Sequence, residues 1–502
     1  MTTEEPQKNS PKKEEQIPPE SSDSKYQIIS DQPFPYNIRS WYPDIPLEKI
    51  SSKLSKNQCL IRVVQYNILC DSLLPISTHI IEEDLQKFPY FSWINRSKKI
   101  LEELKTLNGD MISLIEIEND SNFMKEMNNI GYEIAFKPRT GKHSEGCAIA
   151  WKNEKYEMID LLSIGFNMNK DGKNSNDVFS RDNIALIGIF KVKNIENMII
   201  IFSSTHLIYN YKRGDIKLGQ TYQLVLALEE LRKKYEDEMK NKVYIILASD
   251  LNSVPKSGVY KLLTTGELNC NQINKFNVSG QDPENLQYVK EPTKIRSFLL
   301  NGILKKYSEE KKNNYKNIHN FKEYSKESEP GLPSQENVRW YNEICRVKPF
   351  ISNHSIKLDY QDKYFYQDNE LILKLPFVFK SAYSTMAHNV INYFNDKYKE
   401  IPFNMLENFD KTEVNGVKVS KNEIDKTNNF VKNLTLENIT SYYSNDTCMS
   451  LDYIFFYGKN ESKVARILNL PDIFKLFFDI GYMPNEIFPS DHLSIAADLI
   501  LG

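Results

Sequence analysis

Short apolar runs alternate with amphipathic stretches along much of the chain. Runs rich in β-branched and aliphatic residues predict strands, and the clearest are IRVVQYNI, DMISLIEI, YEIAFK, CAIAWK, IALIGIF, MIIIFSSTH and VYIILAS. Apolar residues at helical spacing predict helices over residues 93–107, 121–130 and 215–239, and a further helix that begins at Pro255. Strands that alternate with helices are typical of an α/β domain, so we expect that fold class.

The alternating pattern is absent from three parts of the chain. Residues 1–57 are predicted to be mostly a disordered tail, because the first part is rich in Pro, Glu, Lys and Ser and almost free of apolar residues. One folded domain is predicted to span 58–502, and polar stretches without a period interrupt it near 269–375 and 400–437. Strand patterns return in SLDYIFFYG and LSIAADLIL, so the domain is completed only by these last segments.

Bulk composition narrows the class of protein but does not define a substrate. The chain has 502 residues, of which 40% are hydrophobic and 26% are charged, as in soluble globular proteins. The formal net charge of −3 does not indicate a nucleic-acid binder, although a local basic cleft and a metal ion can still hold RNA. Six cysteines, none at CxxC spacing, argue against a structural zinc site. We find no signal-peptide or membrane-span pattern, and we therefore expect a cytoplasmic or nuclear protein without membrane contact.

Acids, amides and histidines stand where the predicted strands begin or end. They are Asn67, Glu116, His206, Asp250, Asn252, Asp452, Asp491 and His492. Loops at one end of an α/β sheet are where sites form, and carboxylates with fixed donors are what Mg²⁺ and a phosphate require. Each residue alone also has an ordinary explanation as a turn residue, a helix cap or a packed side chain. Their recurrence at so many strand ends favours one shared site.

The motifs around these residues resemble the exonuclease–endonuclease–phosphatase superfamily, in the branch of poly(A)-specific deadenylases, nocturnin and the Angel proteins. The matching segments are RVVQYNILCDSL, DMISLIEIE, LASDLNSVPKSGVY, SLDYIFFYG and PNEIFPSDHLSI. Within that branch, the segments most similar to Angel proteins are RTGKHSEGCAIAWK, THLIYNYKRGDIKLGQ and LPDIF with MPNEIFPSDHL. Two positions depart from the family pattern, since Ile115 stands in place of glutamine and Glu145 in place of aspartate.

The resemblance implies a two-sheet α/β sandwich with two surface insertions and a metal-dependent phosphodiesterase site. It implies that Glu116 binds Mg²⁺, or alternatively Mn²⁺, together with Asn67 and Asp491. The implied catalytic residues are Asp250, Asn252, His492, His206 and Asp452. We expect four basic residues of the Angel-like segments to contact substrate phosphates, with an ordinary solvated surface as the alternative. They are Arg139, Lys142, Lys212 and Arg213.

The implied reaction is hydrolysis of phosphodiesters at the 3′ ends of RNA. Relatives in this branch suggest two substrates, poly(A) removed by a 3′–5′ exoribonuclease in mRNA decay and a terminal 2′,3′-cyclic phosphate. A small-molecule or lipid phosphodiesterase of the same fold is an alternative, and so is a non-catalytic RNA-decay scaffold. The tail and the insertions are candidate contact regions for mRNA-decay or translation factors, although nothing in them rises above composition.

Overall fold

The structure is a computed structural model, and it describes the residues around the predicted strands and helices. The described ranges are 39–78, 88–167, 180–239, 242–255, 257–271, 278–281, 286–288, 319–321, 351–352, 371–386, 442–444, 447–458, 462–471 and 483–502. Most of the predicted tail and most of the two predicted insertions lie outside the described residues. Among the helices of the described ranges, we find none that combines the length and the apolarity needed to cross a bilayer.

The strands are numbered in chain order. They are β1 (Trp41–Tyr42), β2 (Cys59–Asn67), β3 (Met111–Ile117), β4 (Glu133–Pro138), β5 (Gly146–Trp151), β6 (Tyr156–Gly165), β7 (Ile184–Val192), β8 (Met198–His206), β9 (Lys242–Asp250), β10 (Glu267–Asn269), β11 (Leu286–Tyr288), β12 (His319–Phe321), β13 (Ile351–Ser352), β14 (Ile372–Lys374), β15 (Lys380–Ser381), β16 (Tyr442–Ser444), β17 (Thr447–Met449), β18 (Asp452–Tyr457), β19 (Lys463–Leu468) and β20 (Ile495–Leu501). The helices are α1 (Leu47–Ser51), α2 (Leu74–Thr78), α3 (Trp93–Leu107), α4 (Ser121–Asn129), α5 (Gly214–Met239) and α6 (Gly258–Thr265), with one 3-10 turn over Pro89–Phe91.

Two large sheets pack face to face and are covered on both outer sides by helices. The first sheet has the strand order β1-β19-β20-β2-β3-β5-β4, and the second has the order β13-β6-β7-β8-β9-β18-β15. Apolar side chains of both sheets fill the space between them, such as Ile115 of β3 and Ile246 of β9. Leu104 and Phe123 of helices α3 and α4 belong to the core on the other side of the first sheet, and Leu228 of α5 belongs to that of the second. The predicted two-sheet α/β sandwich is confirmed.

The strand ends that carry the predicted site residues lie at one edge of this sandwich. In the first sheet, β2 and β3 are parallel, and Asn67 is opposite Ile115. In the second sheet, β8 and β9 are parallel, and His206 is opposite Asp250. Strand β18 runs antiparallel to β9, so its first residue, Asp452, is also opposite Asp250. The sheet topology therefore gathers residues that are far apart in the sequence.

The helix predictions agree with the structure except at one boundary. Helix α3 ends at Leu107, and the next residue, Asn108, has a φ of 52°, the left-handed conformation that commonly terminates helices. The helix predicted from Pro255 begins only at Gly258, which corrects that prediction. Ser257 is the reason, because its hydroxyl accepts a hydrogen bond from the Tyr260 backbone N–H and caps the helix there. The Ser257 cap, and not Pro255, therefore sets the start of this helix.

Part of the predicted tail is packed against the domain. Strand β1 pairs with β19, and Arg39 is buried beside it. The Arg39 guanidinium donates to Ser494 Oγ at 2.9 Å and to Glu103 Oε1 at 3.4 Å, and its Nε donates to the Asn469 carbonyl at 3.2 Å. At least residues 39–57 are therefore part of the fold, contrary to the predicted extent of the tail. The domain boundaries further out stay a prediction.

Replacing Arg39 with Met should destabilise the protein. Glu103 would then stay buried without its cationic partner, so we expect the free energy of unfolding to fall by about 3 kcal/mol. Equilibrium unfolding in urea measures this difference. The control is Lys49→Met on exposed helix α1, which should change stability by less than about 0.5 kcal/mol. Equal stabilities of the two variants would show that Arg39 does not hold the segment in place.

Candidate active site

Three side chains from distant parts of the chain meet at the edge where the two sheets join. Asn67 at the end of β2 donates from Nδ2 to Asp250 Oδ2 at 3.1 Å, and the same nitrogen is 3.4 Å from His492 Nε2. All three side chains are buried, with at most 4% of any residue exposed. Strand β2, strand β9 and the loop before β20 thus contribute to a single cluster.

His492 is held by a carboxylate on its other ring nitrogen. Asp452 Oδ2 lies 2.7 Å from His492 Nδ1, and Gln65 Nε2 donates to the second oxygen of Asp452 at 2.9 Å. Burial alone would lower the pKa of His492, but the charge and hydrogen bond of Asp452, with Asp491 and Asp250 nearby, raise it to about 10. These acids favour the protonated ring, whose Nε2 lies 3.8 Å from Asp250 Oδ2.

Glu116 owes its orientation to an irregularity in β3. The pairing register with β5 shifts between Ile115 and Ile117, and Glu116 has a φ of 54°, which is unusual for a residue other than glycine. Such a bulge re-aims one side chain of a strand, and here it keeps Glu116 at the site with 15% of the side chain exposed. Burial and the neighbouring charge of Asp491 raise the pKa of Glu116 to about 8, although His492 opposes the shift.

Asp250 is a second carboxyl group whose proton affinity is increased by the site. Burial and the charge of Asp452 raise its pKa to about 7, while His492 and the backbone N–H of Asn252 oppose the shift. That N–H donates to Asp250 Oδ1 at 2.8 Å, so both oxygens of the carboxylate are fixed. A carboxyl group with a pKa near neutrality is suited to exchange a proton with water or substrate.

His206 and Asn252 are in direct contact on the second sheet. Asn252 Nδ2 donates to the Leu207 carbonyl at 3.0 Å and lies 2.8 Å from His206 Nε2. Since the amide nitrogen can only donate, Nε2 accepts, and the ring carries its proton on the other nitrogen. Burial lowers the pKa of His206 well below its usual value, which agrees with a neutral ring. Nε2 of His206 thus contacts Asn252, and the catalytic role of His206 stays a prediction.

A metal ion has two candidate sets of ligands in this cluster. Ligand atoms of Asp250, Asp452 and His492 all lie within 4.8 Å of one another, so these residues could hold an ion. However, His492 Nδ1 and Asp452 Oδ2 are hydrogen-bonded to each other, which makes these two atoms poor metal ligands. The set of ligands predicted from the sequence is Glu116, Asn67 and Asp491. The Glu116 side chain is 15% exposed, compared with 1% for Asp250. The buried acids around it repel each other, and a divalent cation would relieve that repulsion.

The four basic residues predicted to contact substrate have different environments. Arg139 forms an ion pair with Glu145 at 2.7 Å, and its charge contributes to the lowered pKa of His206. Arg213 forms two hydrogen bonds with Asp215, at 2.9 and 3.0 Å. The other two, Lys142 and Lys212, are exposed. Of these four residues, Arg139 is thus the one whose charge acts on a residue of the site, because it lowers the pKa of His206.

The two departures from the family pattern do not remove a site contact. Ile115 is fully buried between the sheets, and the backbone N–H of Ile68 donates to its carbonyl at 2.9 Å. Glu145 supplies the carboxylate that pairs with Arg139. The isoleucine is explained by its apolar surroundings, and the glutamate still provides an acid at its position.

Sequence reasoning missed a buried arginine that organises two loops at the site. Arg96 of α3 has no exposed surface, and its Nη1 donates to the carbonyl groups of Ile68, Leu69 and Pro489 at 3.2, 2.6 and 3.2 Å. These contacts join the loop after β2 to the loop that carries Asp491. The helical pattern did not predict that Arg96 is buried, because an arginine in an amphipathic helix usually faces solvent.

Comparison with known proteins supports the resemblance seen in the motifs. The chain is similar to carbon catabolite repressor protein 4 homolog 3 of Arabidopsis thaliana, with 32% identity over 274 residues, which are 53% of this chain and 57% of that protein. It is also similar to protein angel homolog 2 of Bos taurus, with 30% identity over 233 residues, which are 45% of this chain and 41% of that protein. The chain thus spans about half the length of the curated relatives it matches. No protein-family model matches it.

Among solved structures, the fold is similar to that in the crystal structure of ANGEL2, a 2′,3′-cyclic phosphatase. The TM-score is 0.57 at 21% identity, and the match covers 92% of this chain and 98% of that chain. The sheets and the gathered strand ends define the chain as a protein with the exonuclease–endonuclease–phosphatase fold. These relatives confirm the resemblance of the chain to Angel proteins and carbon catabolite repressor protein 4 homologs.

Replacing Asp452 with Asn should lower the pKa of His492. The substitution removes the carboxylate that chiefly raises this pKa, so burial will dominate and the value should fall well below 10. An NMR titration of the ring resonances in metal-free protein measures the change. Asp44→Asn, at an exposed position, is the control and should leave the His492 titration unchanged. An unaltered pKa in Asp452→Asn would mean that another group keeps the ring protonated.

Proposed function

We propose that this chain is a Mg²⁺-dependent phosphodiesterase that acts on the 3′ ends of RNA. The observation that carries the proposal is the meeting of Asn67, Asp250 and protonated His492 at one edge of the sandwich. Hydrolysis of a phosphodiester needs a group that accepts a proton from water and donors for the phosphate oxygens. Asp250 and His492 provide these two opposite functions within a few ångströms, since Asp250 Oδ2 lies 3.8 Å from His492 Nε2.

The residues around Glu116 fit a hard divalent cation. Mg²⁺ prefers oxygen ligands and is commonly bound by one or two carboxylates, with water completing its coordination. Glu116 and Asp491 would supply carboxylates, and Asn67 would supply an amide oxygen. When bound, the ion supplies positive charge that stabilises a phosphate oxygen as negative charge develops on it.

The remaining residues divide the proton transfers between them. Asp250, with a pKa near 7, orients a water molecule and accepts its proton. His492 donates from Nε2 to the phosphate, while Asp452 on Nδ1 keeps the ring oriented and protonated. Asn252 holds Asp250 through its backbone N–H, and its side-chain amide is aligned by His206.

A nucleotide end fits the surroundings of the site better than a small sugar phosphate or a lipid head group. Tyr209 lies three residues after His206 with 73% of its surface exposed. Partial burial of its hydroxyl, together with the charges of Asp491 and Glu116, raises the pKa of that hydroxyl. An exposed aromatic ring beside a phosphate site offers a surface on which a base can stack. The fold similarity to ANGEL2 favours a terminal 2′,3′-cyclic phosphate as the first substrate to test. Stepwise 3′–5′ removal of poly(A) is the second, because the motifs also resemble the deadenylases.

A substrate panel tests the proposal directly. The purified chain is incubated with Mg²⁺ and either an RNA that ends in a 2′,3′-cyclic phosphate or oligo(A) with a free 3′ hydroxyl. An inositol phosphate and sphingomyelin represent the alternative substrates of the same fold. We expect turnover of at least one of the two RNA substrates. Turnover of only the small molecule or the lipid would contradict the proposal, and inactivity on every substrate would favour a non-catalytic scaffold.

Replacing Asp250 with Asn should remove most of the activity. The amide keeps the size of the side chain but cannot accept a proton, so we expect kcat to fall by about 10²–10⁴-fold. Steady-state kinetics on the preferred RNA substrate give the change, and circular dichroism shows whether the fold is retained. Asp44→Asn makes the same substitution at an exposed position and should retain wild-type kcat. A fully active Asp250→Asn enzyme would exclude Asp250 as the base.

Replacing Glu116 with Gln should weaken metal binding. The loss of one carboxylate ligand should raise the Mg²⁺ concentration for half-maximal activity by at least about tenfold. Isothermal titration calorimetry measures the same affinity without substrate. Glu118→Gln neutralises an acid just after the same strand, where the carboxylate accepts a hydrogen bond from Ser144, and should leave the affinity unchanged. If both variants bind Mg²⁺ like the wild type, the ion is held elsewhere, for example by the group around Asp250.

A further inference from the structure

A fully buried lysine contacts the turn that follows the proposed catalytic residue Asp250. Lys217 is the fourth residue of α5, and its relative exposure is 0%. Its ammonium donates to the main-chain carbonyl of Asn252 and, at 2.6 Å, to Gln281 Oε1. The lysine therefore connects the start of a long helix to the turn that follows Asp250.

The position is an unfavourable one for a lysine unless its contacts compensate. Burial of an ammonium group is costly without hydrogen-bond partners, and the amino-terminal turn of a helix also disfavours positive charge. An apolar residue would fill the same space without either cost. The buried lysine is therefore explained by its hydrogen bonds to Asn252 and Gln281, which an apolar residue could not make.

The carbonyl that Lys217 binds belongs to a residue with a constrained backbone. Asn252 has a φ of 46°, in the left-handed region, and this conformation directs its side chain to His206 and its N–H to Asp250. The Lys217 contact fixes the peptide group between Asn252 and Ser253, because that group contains the Asn252 carbonyl. It thereby restrains the backbone on the carboxyl side of Asn252, while the Asp250 carboxylate holds the N–H on the other side.

The same helix also supports His206. Gln220 lies three residues after Lys217 on α5, and its Nε2 donates to Asn183 Oδ1 at 3.2 Å. Asn183 Nδ2 in turn donates to the His206 carbonyl at 3.0 Å. One turn of α5 therefore holds the backbone of both partners in the His206–Asn252 contact.

We propose that Lys217 is a positioning residue, which holds the Asn252 turn in the conformation that the hydrolysis requires. It does not touch the substrate in this proposal but acts through Asn252. The inference rests on the proposed function for its kinetic consequence, whereas the anchoring of the turn can be measured without any substrate.

The first test is Lys217→Met, which keeps the length of the side chain and removes its donors. We expect kcat on the preferred RNA substrate to fall by about 10–100-fold while KM changes by less than about threefold. The matched control is Lys233→Met, which makes the same change on the same helix at a half-exposed position and should retain wild-type kcat. Wild-type kcat in Lys217→Met would overturn the proposal.

A double-mutant cycle separates positioning from general support of the fold. If Lys217 acts through Asn252, then Lys217→Met should cost little further activity, at most about twofold, in the Asn252→Ala background. Single-turnover measurements keep the slow variants comparable. Losses that simply multiply in the double variant would show an independent structural role and contradict the proposal.

Hydrogen–deuterium exchange gives a readout that does not depend on turnover. Peptides that cover residues 249–255 should exchange faster in Lys217→Met than in wild type, while peptides from the central strand β7 should be unchanged. If the wild-type protein cleaves neither RNA substrate but exchange over residues 249–255 is still faster in Lys217→Met, the anchor is retained and only the proposed function is rejected. Unchanged exchange in residues 249–255 would reject the anchor.

If Lys217→Met does not fold, Gln281→Leu tests the same anchor with the lysine in place. It removes the second acceptor of the ammonium, so we expect faster exchange over residues 249–255 and at least about a threefold fall in kcat. That fall should disappear in the Asn252→Ala background. Wild-type exchange and kcat in Gln281→Leu would count against the proposal.

Discussion

Repulsion among buried carboxylates is the constraint on which the rest of the site depends. Four acids come from separate segments and meet where the sheets join: Glu116, Asp250, Asp452 and Asp491. Removed from water, they cannot all carry full charge unless cations and donors balance them. His492 supplies one positive charge inside the cluster, and the amides of Asn67 and Gln65 supply donors. The remaining imbalance explains why the pKa values of Glu116 and Asp250 are raised and why the site is suited to a divalent ion.

The scaffold holds this arrangement with locally unfavourable backbone conformations. Leu69, Glu116 and Asn252 all have positive φ, and each lies next to a strand end at the site. Such conformations cost roughly 1–2 kcal/mol each for residues with a side chain, so surrounding contacts must stabilise them. Arg96 binds the carbonyl of Leu69, and Lys217 binds that of Asn252. Buried cations on two helices thus fix the loops from opposite sheets.

Three features could be predicted from the sequence: the α/β class, most strand positions and the convergence of strand-end residues. They could be predicted because strands and helices differ in the spacing of their apolar residues. The positions of Asp250 and His206 followed from this pattern, since both end long apolar runs. Lys217 and Arg96 could not be recognised, because a charged residue in an amphipathic helix has the same pattern whether it is buried or solvated. The contact of His206 with Asn252 depends on a backbone turn that the residue types alone do not specify. The packed segment at Arg39 was missed because its apolar residues, such as Trp41 and Tyr42, are interrupted by prolines and follow neither a strand nor a helix period.

The pairing of β2 with β20 has a consequence for how the protein acquires its site during synthesis. Strand β2 lies between β3 and β20, although β20 follows it only after nearly the whole sequence has been translated. Until residues 495–501 leave the ribosome, β2 presents an unpaired edge, and His492 is not yet in place beside Asp250. A nascent chain therefore lacks His492 beside Asp250, and its open strand edge is available for pairing with other chains. The arrangement that the proposed hydrolysis requires is thus completed only when β20 pairs with β2.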